Sequence, residues 1–389
     1  MKQLTPTIVL TGGGSGGHIT PLLSLAQELK KQSPDCQIVY IGHKGDNFDT
    51  FQESSHDFDF TAFINAGKLR RYGTLRFNGL LHPDIFWKNL VDIGRFPGSV
   101  ITSVRILRKF RPQVVFSKGS YVALPVGFAA RLTGLNVVTH DSDTVPGLAN
   151  RIVGRWAKLH ATGMPKEFYS YPPDTTEYVG IPIDLKIKKI TPKLQAKYKT
   201  ELKIPPDSNV LLVSGGSNGS VDLNNSMLAV AEELLKSNLS LRIIHIAGNS
   251  NEKEVLQAYK RLPEEFQKRV MALGYSNELY KLVGAADLVV ARAGATTLAE
   301  LAAAGKACII IPGAQLSGGH QLKNAALVEK LDAAAVAPAG VQPDELLVLI
   351  NGLLGNDRRR FELARNLYAI AKPDASKELA RLLLKIASG

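Results

Sequence analysis

The chain has 389 residues, 45% hydrophobic and 21% charged, which excludes wholesale disorder and points to two or three globular domains. Its 2 cysteines, Cys36 and Cys308, exclude a disulfide framework and a cysteine-ligated zinc finger, and fit a reducing compartment. Lysine plus arginine number 47 against 35 aspartates and glutamates, and the net charge of +12 points to nucleic acid, a phosphorylated substrate or an anionic membrane face.

No apolar run approaches the ~20 residues that span a bilayer. Ile8-Val9-Leu10 runs at once into glycines and is too short for a signal peptide. A cytoplasmic chain able to associate with a membrane is expected.

Thr7–Thr11 is apolar and β-branched and breaks into Gly12-Gly13-Gly14-Ser15-Gly16-Gly17-His18. Leu22, Leu25, Ala26 and Leu29 then recur at helical spacing. Strand, glycine loop and helix open a parallel α/β unit. Further buried strands are predicted at 38–42, 114–117 and 137–140. The pattern restarts at Val210–Ser214, followed by Gly215-Gly216-Ser217-Asn218-Gly219 and a helix near 223–235. Strands are predicted at 241–246, 288–290 and 308–311, and helices at 297–304, 321–330 and 344–354. Between the halves, residues 163–208 are rich in Pro, Lys and Tyr, which marks a boundary. The expected architecture is α/β: two doubly wound Rossmann-like domains facing across a cleft. Residues 1–163 form the first domain, 164–208 a linker and 209–372 the second. A last helix, near 373–389, is expected to pack back on the first domain.

Gly12, Gly14 and Gly17 satisfy the G-x-G-x-x-G spacing of dinucleotide-binding loops. That reading requires an acidic residue closing the second strand, where this chain has Gly42-His43-Lys44. Five glycines in the six residues 12–17 exceed what a tight turn needs, and bare N–H groups at a helix N-terminus favour an anion. Without Gly-Lys-Ser/Thr this is no Walker loop. His18 follows directly; its imidazole can be structural or can take a proton from a hydroxyl nucleophile. Gly215–Gly219 reads as a second anion cradle, with Ser217 and Asn218 as donors.

The segment Arg292-Ala-Gly294-Ala295-Thr296-Thr297-Leu-Ala-Glu300 places a close-approach glycine and two capping threonines before an alanine-rich helix. Glu300 is either solvated or a carboxylate that accepts both hydroxyls of a ribose. His320 and Gln321 open the next helix with side chains suited to sugar hydroxyls. Between Lys68 and Arg111, basic residues interleave with Leu69, Tyr72, Leu75, Phe77, Leu80, Leu81, Phe86, Trp87 and Leu90. Part of this stretch belongs to the core, and an apolar surface rimmed by Lys and Arg also suits an anionic membrane. Nucleic acid is the rival partner, but no nucleic-acid module is recognisable.

Taken in order, Thr11–His18, Gly119-Ser120-Tyr121-Val122, His140, Val179-Gly-Ile-Pro182, Gly215–Gly219, Arg292–Ala295, Glu300–Gly305 and His320-Gln321 resemble a known family. It is the MurG-like family of GT-B nucleotide-sugar glycosyltransferases, which moves GlcNAc onto MurNAc-pentapeptide-pyrophosphoryl-undecaprenol in peptidoglycan synthesis. The likeness implies that the second half binds UDP-GlcNAc through Ser217, Asn218, Gly219, Arg292, Gly294, Ala295, Thr296, Glu300, His320 and Gln321. The first half would bind the lipid pyrophosphate through Gly13, Gly14, Ser15, Gly16, Gly17 and Tyr121. His18 is the implied base. The implied transfer is inverting and uses no metal or cofactor, at the inner face of the cell membrane.

Three motifs depart from that family. Asp141-Ser142-Asp143 replaces Glu-Gln-Asn, Ile181-Pro-Ile-Asp184 replaces Asn-Pro-Val-Arg, and His320 replaces the first of two glutamines. Asp143 is thereby a second candidate base. A related transferase with a different lipid or glycan acceptor, and a UDP-sugar-binding homologue with weakened catalysis, stay open as alternatives.

Overall fold

The computed structural model describes residues 5–13, 16–44, 57–68, 83–216, 218–313 and 319–389, the side chains at 16–18 and 83–86 excepted. The chain divides into two compact units, one of residues 1–184 with 372–389, the other of residues 185–371.

The first unit runs β1 (Thr7–Thr11), α1 (Gly16–Gln32), β2 (Gln37–His43), β3 (Phe60–Ile64), α2 (Pro83–Phe110), β4 (Val114–Ser117), α3 (Ser120–Leu132), β5 (Asn136–Asp141), α4 (Leu148–Val153), β6 (Leu159–Thr162) and β7 (Thr176–Tyr178). Its seven strands are all parallel, in the order β3-β2-β1-β4-β5-β6-β7. Strand residues alternate between two cores. Ile8, Leu10, Ile38, Tyr40, Val114 and Phe116 pack with α1, whereas Val9, Val39, Ile41 and Val115 pack with α3 and Leu107 of α2. Parallel strands covered on both faces read as continuous apolar runs, which is why Ile8–Leu10 and Val114–Phe116 show no polar alternation.

The second unit runs α5 (Pro192–Glu201), β8 (Val210–Ser214), α6 (Val221–Ser237), β9 (Arg242–Ile246), α7 (Glu252–Tyr259), α8 (Glu264–Gln267), β10 (Val270–Leu273), α9 (Leu279–Ala285), β11 (Leu288–Arg292), α10 (Ala295–Ala304), β12 (Cys308–Ile311), α11 (His320–Lys330), β13 (Ala335–Val336), α12 (Pro343–Leu354) and α13 (Asp357–Ala369). Its strand order is β10-β9-β8-β11-β12-β13, again parallel throughout. In each unit the strand order reverses beside the first strand, between β1 and β4 and between β8 and β11. Ligands of open parallel sheets bind at such switch points, beyond the carboxyl ends of the strands. Both glycine loops start there.

The last helix, α14 (Ala375–Ala387), packs on α1 and lends Leu379, Ala380 and Leu383 to the first core. Residues 164–208, read from the sequence as a linker, are shared between the units. β7 closes the first sheet, and α5 belongs to the second unit. The prolines misled because one of them starts a helix. Pro192 stands at the first position of α5, where its missing N–H costs nothing, and the Thr191 hydroxyl accepts from Leu194 N at 3.2 Å.

Candidate active site

In the second unit the loop after β8 turns through Gly216 (φ +84°) and Gly219 (φ +72°). Only glycine adopts such angles at little cost. Gly219 also has no room for a side chain, since a Cβ there would stand 2.0 Å from the carbonyl oxygen of Ala247. Gly248 (φ +89°) follows that carbonyl, and a Cβ on it would approach the Asn218 oxygen to 2.6 Å. Two backbones therefore pack directly on each other, and side chains beneath hold them. Asn224 and Asn251 both donate to Ala247 O, at 3.0 and 3.1 Å. Asn224 is in turn bonded to the buried His245, whose other ring nitrogen meets the Tyr259 hydroxyl at 2.9 Å. Burial lowers His245 to about 4, so it stays neutral. This His245–Asn224–Ala247 chain lies outside the sequence reading. A histidine inside the apolar run Ile243–Ile246 was its only signal.

At the neighbouring strand ends, β11 closes with the half-buried Arg292, lowered by burial and raised by the charge of Asp222. Gly294 caps α10 without any side-chain bond. The sequence suggests Thr296 and Thr297 as caps, but both lie inside the first turn, because the helix starts two residues earlier, at Ala295. The first-turn N–H groups of α10 are thus uncovered by a capping side chain, an arrangement that suits an anion. Glu300 is 9% exposed, so the solvated reading gives way to a buried carboxylate one turn into α10. Gln321, in the first turn of α11, accepts from Gly313 N at 2.8 Å through Oε1, which leaves its NH2 to donate. His320 opens the same helix, and Asn324 donates to Ala293 O at 3.0 Å, tying α11 to the β11 loop. The sheet thus brings Asn218, Gly219, Arg292, Gly294, Ala295, Thr296, Glu300, His320 and Gln321 to the carboxyl ends of β8, β11 and β12. Ser217 lies outside the described residues.

In the first unit Gly12 and Gly13 follow β1, and α1 begins at Gly16, so Gly16, Gly17 and His18 form its first turn. Gly14 and Ser15 lie outside the described residues, as do the side chains at 16–18. The Tyr40 hydroxyl donates to Gly12 O at 2.9 Å. Tyr121 stands in the first turn of α3, edge-on to His43 with ring centres 5.2 Å apart. Gly119 and Ser120 just before it hold φ of +93° and +72°. A serine at positive φ costs on the order of 1 kcal/mol or more, and such strain gathers at functional sites.

Asp143 lies in the loop after β5, beside the buried hub Asp141. The Asp141 carboxylate accepts from Tyr171 OH (2.8 Å), Asn150 Nδ2 (3.1 Å) and Gly147 N (3.1 Å). Burial pushes the Asp141 carboxyl up, and these three donors with Lys118 oppose that rise. The Tyr169 hydroxyl donates to the Asp143 carbonyl at 2.8 Å. Lys118 and Asn150 belong to this cluster, although the sequence reading passed over both; Lys118 stood hidden between a strand end and a glycine.

Among the described residues no three His, Cys, Asp or Glu side chains gather as a metal-ligand set. On α2, Trp87, Leu90, Val91 and Ile93 are about half exposed or more. The basic stretch at 69–82 lies outside the described residues.

Residues 8–162 match the glycosyltransferase family 28 N-terminal domain, and residues 210–379 match the family 28 C-terminal domain. A UDP-N-acetylglucosamine–N-acetylmuramyl-(pentapeptide) pyrophosphoryl-undecaprenol N-acetylglucosamine transferase of Citrifermentans bemidjiense is 30% identical over 97% of this chain and 99% of its own. Its namesake in Halothermothrix orenii is 32% identical over 98% and 99%. The crystal structure of Acinetobacter baumannii MurG superposes with a TM-score of 0.70 at 23% identity, covering 98% of this chain and 99% of that one, and so shares the GT-B fold.

Proposed function

We propose that this chain, which belongs to glycosyltransferase family 28, moves GlcNAc from UDP-GlcNAc to the C4 hydroxyl of MurNAc-pentapeptide-pyrophosphoryl-undecaprenol, converting lipid I to lipid II. The observation that carries this reading is 30–32% identity along essentially the whole chain to relatives named for that transfer. The geometry of the second unit supports it: a glycine cradle, an uncapped helix N-terminus and a buried carboxylate stand at one switch point.

In this reading the donor diphosphate lies on the N–H groups of the Gly215–Gly219 loop and of α10. Glu300 accepts the ribose hydroxyls, and the Gln321 NH2 donates to the GlcNAc ring. The acceptor pyrophosphate lies at the loop after β1, with Tyr121 beside it. The C4 hydroxyl attacks the anomeric carbon opposite the departing UDP, which inverts the configuration. The C4 oxygen bonds to C1 as the bond from C1 to the phosphate oxygen breaks. His18 or Asp143 takes the hydroxyl proton. Fixed backbone donors meet the charge that grows on UDP, so neither metal nor cofactor is required.

We further propose attachment to the inner face of the cell membrane. The exposed apolar Trp87, Leu90, Val91 and Ile93 of α2, next to Lys88 and Arg95, support a lipid rather than a nucleic-acid partner, while the net charge of +12 suits any anionic one. No described helix is long and apolar enough to cross a membrane.

The test is mass spectrometry of products after incubation with UDP-GlcNAc and a MurNAc pyrophosphoryl lipid. The expected product carries one added GlcNAc, with UDP released. Tight UDP-GlcNAc binding without that product would replace this reading by a binding homologue, and product only with another acceptor would replace the acceptor.

A further inference from the structure

Lys118 follows β4 and is 3% exposed, yet the reaction above gives it no task. Its backbone N–H donates to Thr11 O at 2.9 Å, and a Cβ placed on Gly12 would stand 3.0 Å from its own Cβ. Its ammonium donates to the Ser142 hydroxyl at 2.5 Å. One lysine therefore touches both the first glycine loop and the loop that carries Asp143. A buried ammonium is costly unless charges and hydrogen bonds offset it. The charges here are Asp141, which closes β5, and Asp143 in the loop that follows. From the β1 side Lys118 meets the uncharged Thr11 and Gly12, whose carbonyl holds the Tyr40 hydroxyl. From α4 the nearby polar side chain is the neutral Asn150, bonded to Ser117 and Asp141.

We propose that Lys118 is a positioning residue for the transfer: through Ser142 it fixes the Asp143 loop beside the first glycine loop, and its charge balances the two carboxylates there. This rests on the functional reading above. Burial lowers the Lys118 ammonium to about 8, with Asp141 and Asp143 opposing the shift. Deprotonation removes both the counter-charge and the strength of the Ser142 bond.

The first experiment is the pH profile of turnover at saturating UDP-GlcNAc, for the wild type, Lys118→Arg and Lys118→Met, with folding checked by circular dichroism. Wild-type kcat falls at least about tenfold as pH rises past about 8, while the KM for UDP-GlcNAc stays within about twofold. Lys118→Arg keeps most of its activity and loses this alkaline limb, because arginine stays protonated. Lys118→Met is slower by roughly tenfold or more at neutral pH and shows no such limb. A limb that survives unchanged in either variant overturns the proposal. The second experiment needs no turnover. In the wild-type protein labelled with 13C-lysine, the Cε signal missing from both variants titrates near about 8, apart from surface lysines near about 10.4. A Lys118 signal that titrates with the surface lysines also overturns the proposal. If that signal titrates near about 8 but the wild type makes no GlcNAc-lipid product, the functional reading fails instead.

Discussion

Gly219 makes the sharpest demand of any residue in the donor cradle. An alanine there meets the Ala247 carbonyl at 2.0 Å and must also hold φ at +72°. Gly216→Ala meets no atom within 4 Å and bears only the cost of its φ of +84°, about 1–2 kcal/mol. Gly219→Ala should therefore raise the UDP dissociation constant at least tenfold in calorimetry, and by more than Gly216→Ala does. Equal effects would mean that close backbone approach is unimportant there. Beneath the same loop, His245 is held at about 4 by burial, against about 6.5 in the unfolded chain. Between those values the unfolded state binds the proton and the folded state does not. The stabilisation is complete above about pH 6.5 and is lost as pH falls toward about 4. The shift corresponds to roughly 3 kcal/mol. Urea unfolding at several pH values, with His245→Gln as reference to cancel the carboxylates, should return that difference. A parallel pH dependence in both proteins would refute it.

At the scale of elements, α14 is the piece whose place matters most to stability. Leu379, Ala380 and Leu383 are fully buried with Ile8, Leu22 and Leu25, while Arg381 faces outward and pairs with Glu378. Leu379→Ala should cost about 2–5 kcal/mol in denaturant unfolding, and Arg381→Ala no more than about 0.5 kcal/mol. Similar costs for both would mean that the helix does not seal the first core. The elements readable from sequence were those whose residues carry both a period and a punctuation mark. Thr7–Thr11 and Val210–Ser214 are apolar runs stopped by glycines, and both are first strands of their sheets. Phe60–Ile64 and Val270–Leu273 went unread because they are edge strands, partly exposed, without a glycine loop to mark their ends. The Pro192 helix went unread because proline at a first position and proline as a breaker look alike in sequence.

Over the whole molecule, the duplicated strand-loop-helix pattern was enough to indicate two parallel sheets, and the strand orders show both. The positions of Arg292, at the end of β11, and of Gln321, in the first turn of the helix after β12, were legible because every carboxyl end of a parallel sheet points toward one rim. Lys118, Asn150 and His245 were not, because their roles come from neighbours distant in sequence: Ser142 for the lysine, Asp141 for the asparagine, Tyr259 for the histidine. Burial turns an ordinary lysine into a structural cation, and composition does not reveal burial.

Since α14 belongs to the first unit, that unit is built from both ends of the chain, whereas residues 185–371 of the second are continuous. On the ribosome, the earlier-made part waits for its final helix while the whole intervening unit is translated. At usual elongation speeds this delay is roughly ten to forty seconds. Throughout it, the apolar bed that Leu379 and Leu383 will fill stays open on the nascent chain.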